Sequence, residues 1–246
     1  MVQNEMGVEL MSWTDRGSIK VIKFLRDKYK SKMFVETGTY KGVNMQLQIQ
    51  NFVYYAGCES NRKYTKEAFK RATKINKPNI FVWNVKSPQF LKEWKEKDIF
   101  VEPFPIIYLD AHFYNKKLPK NKRFVVKDEL NALRGMRDCI IIIHDFANGL
   151  GHIKYDGIDL DMKILNEGLY LVNPQFHFYT NTLEGCDIIK TKKDVEELGL
   201  DWDDEMKSTL KFVWSKPEKT FRGILYCLPT ALTKEEMEEL KLREWQ

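Results

Sequence analysis

Glycine-rich phosphate signatures are missing from this chain. Neither GxGxxG nor GxxxxGK[ST] occurs anywhere in its 246 residues. Without those loops there is no ready cradle for a pyrophosphate, which argues against NAD- and ATP-dependent chemistry. Long apolar runs are missing too. No stretch approaches the roughly 18 residues that span a bilayer, so no membrane partner is expected. The opening MVQNEMGVEL has neither the basic nor the apolar region of a signal peptide, and the expectation is a cytoplasmic protein. Cysteine is scarce: Cys58, Cys139, Cys186 and Cys227 stand apart, with no CxxC. That spacing supports neither a disulfide framework nor a zinc site, and these residues read as small buried hydrophobes. Internal repeats and low-complexity segments are also absent.

Charge is present in excess of one sign. The net charge is +5, and Lys116, Lys117, Lys120, Lys122, Arg123 and Lys127 fall in one short stretch. Such a stretch attracts anionic partners or is simply a solvated loop. Apolar residues make up 43% and charged residues 30%, in a chain long enough for one sizeable core.

Short β-branched and aromatic runs alternate with helical periodicity, which predicts βαβ units and a parallel sheet. Helix 18–30 precedes the strand MFVETG. A helix over 43–50, the strand FVYYAGCE and a helix over 63–74 follow. Next come NIFVWN, a helix over 87–97 with Pro88 in its first turn, PIIYLDA, a helix over 125–136, and CIIIIHDF. Four consecutive isoleucines suit a strand buried on both faces. A helix over 157–169 and the strands FHFYTNT and RGILYCL come later. The polar segment 188–220 reads as an insertion or lid within a single 1–246 domain. The tail from Thr233 reads as a charged helix, with Thr233 and Glu236 forming a capping box.

Four strand ends carry chemistry. Phe34–Gly42 runs from a strand through Glu36, Gly38 and Gly42 into a helix. Gly38 permits a tight turn, and Glu36 places negative charge where a cationic ligand group would bind. The second strand ends in Gly57-Cys58-Glu59-Ser60, and an acidic residue there can hold ribose hydroxyls. The fourth ends in Asp110-Ala111-His112 and the fifth in His144-Asp145. His112 or His144 can deprotonate an attacking hydroxyl, because a histidine titrates near working pH. Asp110, Asp145 and Asn148 form an oxygen-rich set that suits Mg2+ or Mn2+. The loop His152–Asp156 reads equally as an acceptor contact or a solvated loop, and Trp83, Trp94, Trp202 and Trp214 read first as core residues, with a stacking platform for a sugar ring as the alternative.

The stretch VETGTYKG…GCES…NVKS…YLDAHFY…DEL…IIIHDF resembles class I S-adenosylmethionine-dependent methyltransferases. It is most similar to small-molecule and sugar O-methyltransferases of the macrocin O-methyltransferase type. The resemblance covers roughly residues 30 to 180. It implies a Rossmann-like α/β fold: a seven-stranded, mostly parallel sheet with helices on both faces and a late antiparallel strand. It also implies S-adenosylmethionine as cofactor. Glu36, Gly38, Thr39 and Gly42 would meet its methionine part, Glu59 its ribose, and Ser60, Asn84 and Val85 its adenine, with Asp110 between cofactor and acceptor. Many relatives carry an acid where Asn84 stands, and Asp-Asp or Asp-Asn where this chain has His144-Asp145.

The leading expectation is methylation of a hydroxyl on a sugar, glycan or other small polyhydroxylated acceptor, with or without a divalent metal. Three other readings stay open. An RNA 2′-O-methyltransferase would use Asp110 within a Lys-Asp-Lys-Glu tetrad, whose lysines are not evident. A nicotinamide-dependent oxidoreductase would lack its glycine fingerprint. A non-catalytic binding module would keep the fold alone. The sequence is silent on oligomeric state.

Overall fold

The computed structural model describes residues 15–97, 103–111, 119, 124–150, 158–204, 206, 207, 210 and 222–245. Five β/α units come first, in the predicted order. They are β1 (Met33–Thr37) with α2 (Val43–Gln48), β2 (Tyr54–Cys58) with α3 (Arg62–Ile75), β3 (Ile80–Trp83) with α4 (Ser87–Glu96), β4 (Ile106–Leu109) with α5 (Val126–Ala132), and β5 (Ile140–Ile143) with α6 (Met162–Val172). Helix α1 (Arg16–Tyr29) precedes them. After them come β6 (His177–Asn181), α7 (Lys192–Glu197), β7 (Leu225–Leu228), α8 (Lys234–Leu240) and β8 (Leu242–Glu244).

Local chemistry explains where the helices start. Asp15, Asn61 and Asp161 cap α1, α3 and α6 by accepting a backbone N–H of the first turn. Asp161 thereby moves the start of α6 to Met162, past the expected residue 157. Capping boxes open α7 (Thr191 with Asp194) and α8 (Thr233 with Glu236), the second as expected.

All eight strands form one sheet in the order β3-β2-β1-β4-β5-β7-β6-β8. Strands β3, β2, β1, β4 and β5 run parallel, and β7 is antiparallel to both β5 and β6. The expected seven-stranded sheet is therefore present, and the tail adds an eighth strand that pairs antiparallel with β6. That tail was expected to be all helix. Lys241 instead takes a left-handed backbone (φ 53°) and ends α8, so the chain turns back along the sheet edge.

The sheet is buried on both faces. Along β5, Ile141 and Ile143 enter one core and Ile140 and Ile142 the other, and Val35 and Phe34 divide likewise on β1. The period-2 alternation of side chains thus feeds two layers at once. A third cluster unites Ile19, Val43 and Leu47 of α1 and α2 with Ile189, Val195, Leu200, Met206 and Leu210. The described part of the 188–220 segment is therefore docked on the helix that follows the Gly38–Gly42 turn. Polar tethers reinforce it: Arg71 pairs with Asp203 at 2.7 Å, and the Gly199 carbonyl accepts from Gln46 and Gln50.

Candidate active site

Strand register sets the site. Thr37 is level with Cys58 and Leu109, Cys58 with Trp83, and Leu109 with Ile143. The next residue of each strand is Asn84, Glu59, Gly38, Asp110 or His144. These five line the carboxyl edge of five adjacent parallel strands, where open α/β sheets bind ligands.

Backbone bonds continue the ladder one step past the strand ends. Gly38 N and Thr39 N both donate to the Cys58 carbonyl at 3.0 Å, Glu59 N donates to Trp83, and His144 N to Leu109. Gly38 (φ +74°) leaves no room for a side chain, because a Cβ there would lie 2.7 Å from the Asp110 carbonyl oxygen and 2.9 Å from Ala111 Cα. Tyr40 and Gly42 are also left-handed, at φ 51° and 80°, so the loop folds tightly over the end of β2.

Glu59 is half-buried at that end. Its carboxylate accepts from Tyr40 N at 3.1 Å and from Asn61 N at 2.6 Å. Asn84 steadies the same corner, since its Nδ2 donates to the Glu59 carbonyl at 2.8 Å and to Thr65 Oγ1 at 3.0 Å. Ser60 is exposed on the turn beside it, and Val85 is half-buried against the core.

Glu36 lies deeper than the cofactor role implied by the resemblance. It is only 2% exposed, and its two carboxylate oxygens accept from Asn44 Nδ2 and Tyr55 OH. Tyr55 OH also meets Thr39 Oγ1 at 3.2 Å. Glu36 thus braces the loop from beneath through Thr39. Burial pushes its carboxyl up to about 7, partly offset by the two hydrogen bonds. Burial and the facing Glu36 push the Tyr55 phenol well up. Asn44 and Tyr55 were missed in the sequence, and Gly57 was named there only as part of the end of the second strand. Only Gly57 carried a signal, as a glycine inside a strand. A Cβ on it would lie 2.4 Å from Thr39 Oγ1 and 2.6 Å from Tyr55 OH, so the glycine makes the space in which this network sits.

The other half of the edge carries charge. His144 is 3% exposed, and its Nδ1 stands 3.1 Å from Asp110 Oδ1 and 3.4 Å from Asp145 Oδ1. Asp145 is left-handed (φ 57°) and lies 3.3 Å from Arg222 Nε. These close contacts set the imidazole and the guanidinium against the two carboxylates. Arg222 belongs to no sequence motif. It arrives because β7 is antiparallel, so the lead-in to β7 meets the carboxyl ends of the parallel strands. Gly223 lets that lead-in touch the loop after β5, with Phe146 N donating to the Gly223 carbonyl at 2.8 Å.

The expected metal set does not assemble. Asn148 is buried, and its amide is used on both sides: Nδ2 donates to Thr180 Oγ1 and to Asn181, and Oδ1 accepts from Leu150 N. It serves β6, not the strand edge. Asp110 and Asp145 face an imidazole and a guanidinium rather than a gap between oxygens. Among the described residues no three of His, Cys, Asp and Glu form a metal-binding group. The residues present therefore fit a divalent ion poorly. His112, the loop His152–Asp156, Trp214 and most of the lysine-rich stretch lie outside the described residues. The proposed aromatic platform is dispersed. Trp94 is in the core and Trp202 in the third cluster, while Trp83, 37% exposed, is at the site edge beside Asn84.

No protein-family model and no curated protein matches the chain. The chain is similar to several solved structures. An O-methyltransferase from Bacillus cereus in complex with SAH is 15% identical, over 88% of this chain and 81% of that one, with a TM-score of 0.44. The plantazolicin methyltransferase BamL, in complex with a triazolic desmethylPZN analog and SAH, is 16% identical over 86% and 82%, with a TM-score of 0.44. The methyltransferase domain of bacterial CtHen1 is 9% identical over 87% and 98%, with a TM-score of 0.48.

Proposed function

We propose that this chain is an S-adenosylmethionine-dependent O-methyltransferase acting on a hydroxyl of a sugar, glycan or other small polyhydroxylated acceptor. The carrying observation is the registered row Asn84–Glu59–Gly38–Asp110–His144 along one sheet edge. Its two halves differ in chemistry, with a cofactor half at β2 and β1 and an acid–base half at β4 and β5.

The donor set suits the cofactor. A carboxylate accepts about four hydrogen bonds, so Glu59, oriented by two backbone N–H groups, can also take ribose hydroxyls. Gly38 keeps side chains away from the loop where the methionine part would lie. When bound, S-adenosylmethionine supplies an electrophilic methyl group on a sulfonium.

The acid–base half moves one proton. Two carboxylates beside Nδ1 favour the tautomer with hydrogen on that nitrogen, which makes Nε2 the basic one. Bound S-adenosylmethionine would supply the methyl group to the acceptor oxygen, and His144 would take the hydroxyl proton. His112, two residues after Asp110 in the sequence, is the second candidate base. Among the described residues the row contains no lysine, so the RNA 2′-O reading gains no support there.

Calorimetric titration with S-adenosylmethionine and S-adenosylhomocysteine tests the cofactor. Micromolar binding is expected. No binding of either compound to folded protein overturns the proposal. Transfer of labelled methyl to a panel of sugars and polyols then tests the acceptor class, and transfer to RNA alone would replace it.

A further inference from the structure

Helix α3 and its exit concentrate positive charge. Residues 62–77 contain seven Lys and Arg against one Glu, a surplus larger than the +5 of the whole chain. Two of the seven have structural roles. Arg71 pairs with Asp203 at 2.7 Å, and Lys77 Nζ donates to the Ile49 carbonyl at 2.7 Å. Arg62, Lys63, Lys66, Lys70 and Lys74 are exposed, and among the described residues none of them has an ion-pair or side-chain hydrogen-bond partner. At about 100° per residue these five fall within roughly 120° of the helix surface. Phe69, 48% exposed, borders the same arc. Other helices treat their lysines differently. At α4 and α7, Lys92, Lys97, Lys192 and Lys193 each have a glutamate one turn away, at 3.3 to 3.9 Å. On α3 the one-turn neighbours of Lys66 and Lys70 are Arg62, Lys74 and each other, like charges that disfavour the helix.

We infer that this face of α3 is a binding surface for single-stranded nucleic acid, with its cations on successive phosphates and Phe69 under a base. The line Arg62, Lys66, Lys70, Lys74 places a charge about every 6 Å along the helix axis, which suits a linear polyanion better than a compact anion. Lysine meets phosphate as a point charge, so a strand can be tracked without its sequence being read. An aromatic ring within such a basic line is a stacking platform open to any base. A bilayer fits poorly, because the apolar side of α3 already faces the sheet. Ala68 is buried in the second core with Ala72 and Ile75 packed against it, and Phe69 is the one exposed large hydrophobic among the described residues of α3. The line starts beside the candidate site. Asn61 caps α3 and donates its N–H to the Glu59 carboxylate at 2.6 Å, and Tyr64 packs on Tyr40 with ring centroids 4.3 Å apart. Strands β4 and β5, which carry Asp110 and His144 at their ends, lie on the far side of β1 from that corner. The surface is therefore separate from the acid–base half, and it does not rest on the acceptor chemistry proposed above.

The experiment is fluorescence anisotropy of labelled oligo(U) of about twelve nucleotides, titrated with the full chain. Binding is expected, and log K should fall against log salt with a slope of about −3.5, as for roughly five phosphates. Lys66→Gln combined with Lys70→Gln should bring the slope to about −2 and weaken binding at least about tenfold at low salt. Phe69→Ala should weaken binding about tenfold and leave the slope unchanged. Lys192→Gln combined with Lys193→Gln removes the same net charge from α7 and should alter neither affinity nor slope. The replaced side chains are all exposed, so the variants should fold, which circular dichroism checks. The inference is overturned if the wild type does not bind oligo(U) at low salt, or if the α7 pair weakens binding as much as the α3 pair. It is also overturned if Phe69→Ala binds like the wild type, or if polyglutamate displaces oligo(U) at equal charge, which would give the surface to an acidic protein segment. None of these outcomes bears on the S-adenosylmethionine titration, so the two readings fall separately.

Discussion

Replacing Glu36 by glutamine separates the cost of a buried charge from the bracing that the same residue provides. The carboxyl is fully buried beneath the Gly38–Gly42 loop and titrates at about 7 against an ordinary value of 4.5. A group raised in the folded state contributes stability that is complete below the unfolded value and lost as pH rises through the folded one. The full shift corresponds to about 3 kcal/mol. Most of it falls between pH 5 and pH 8.5, because the unfolded chain is already mostly ionised at pH 5. Glutamine is isosteric and can keep the network. Its carbonyl accepts from Asn44, its amide donates to the Tyr55 oxygen, and the Tyr55 hydroxyl turns to Thr39 Oγ1. Urea unfolding of both proteins at pH 5 and pH 8.5 measures the difference. The wild type should lose about 2 to 3 kcal/mol relative to Glu36→Gln as pH rises from 5 to 8.5. Parallel pH profiles for the two proteins would refute the assignment of that titration to Glu36.

Two further substitutions probe the cofactor half. Glu59→Ala should weaken S-adenosylmethionine binding by about 10- to 100-fold in calorimetry, equivalent to one or two charge-assisted hydrogen bonds, while changing the melting temperature little. Unchanged affinity would remove Glu59 from the ribose site. Gly38→Ala should lower stability by about 2 kcal/mol or more, because it combines a left-handed backbone with a Cβ against the backbone of Asp110 and Ala111, which cannot swing away. An unaltered thermal transition would show that the loop can move off β4.

The alternating elements were legible because each rests on local chemistry. The Ile140–Ile143 run and the capping box at Thr233 act within a few residues, and the structure contains them. Glu59, Asp110 and His144 were also legible, since strand ends in a parallel sheet share one edge. Asn148 was not. Its spacing after Asp145 allowed a place in the site, but its buried amide is claimed by Thr180 and Asn181, 32 and 33 residues away. Arg222 and Tyr55 went unseen for the same reason, because their partners Asp145 and Glu36 are distant in sequence. The described part of the 188–220 segment was unreadable because Ile189, Val195, Leu200, Met206 and Leu210 share a cluster with Ile19 of α1 and Val43 and Leu47 of α2, which are distant in sequence.

By itself, the sequence determined the alternating α/β order, the depth of the central strands, the tight turn after β1 and the residue types at the strand ends. Periodicity, capping and turn chemistry are short-range and are written in neighbouring residues. Tertiary structure alone decided the register that brings Asn84, Glu59, Gly38, Asp110 and His144 into one row. It also decided the eighth strand, the place of Glu36 beneath the loop, and the arrival of Arg222 beside Asp145. Each of these depends on charges and hydrogen bonds between residues that only the closed sheet makes neighbours, and whose partners a buried polar group must find at whatever sequence distance they lie.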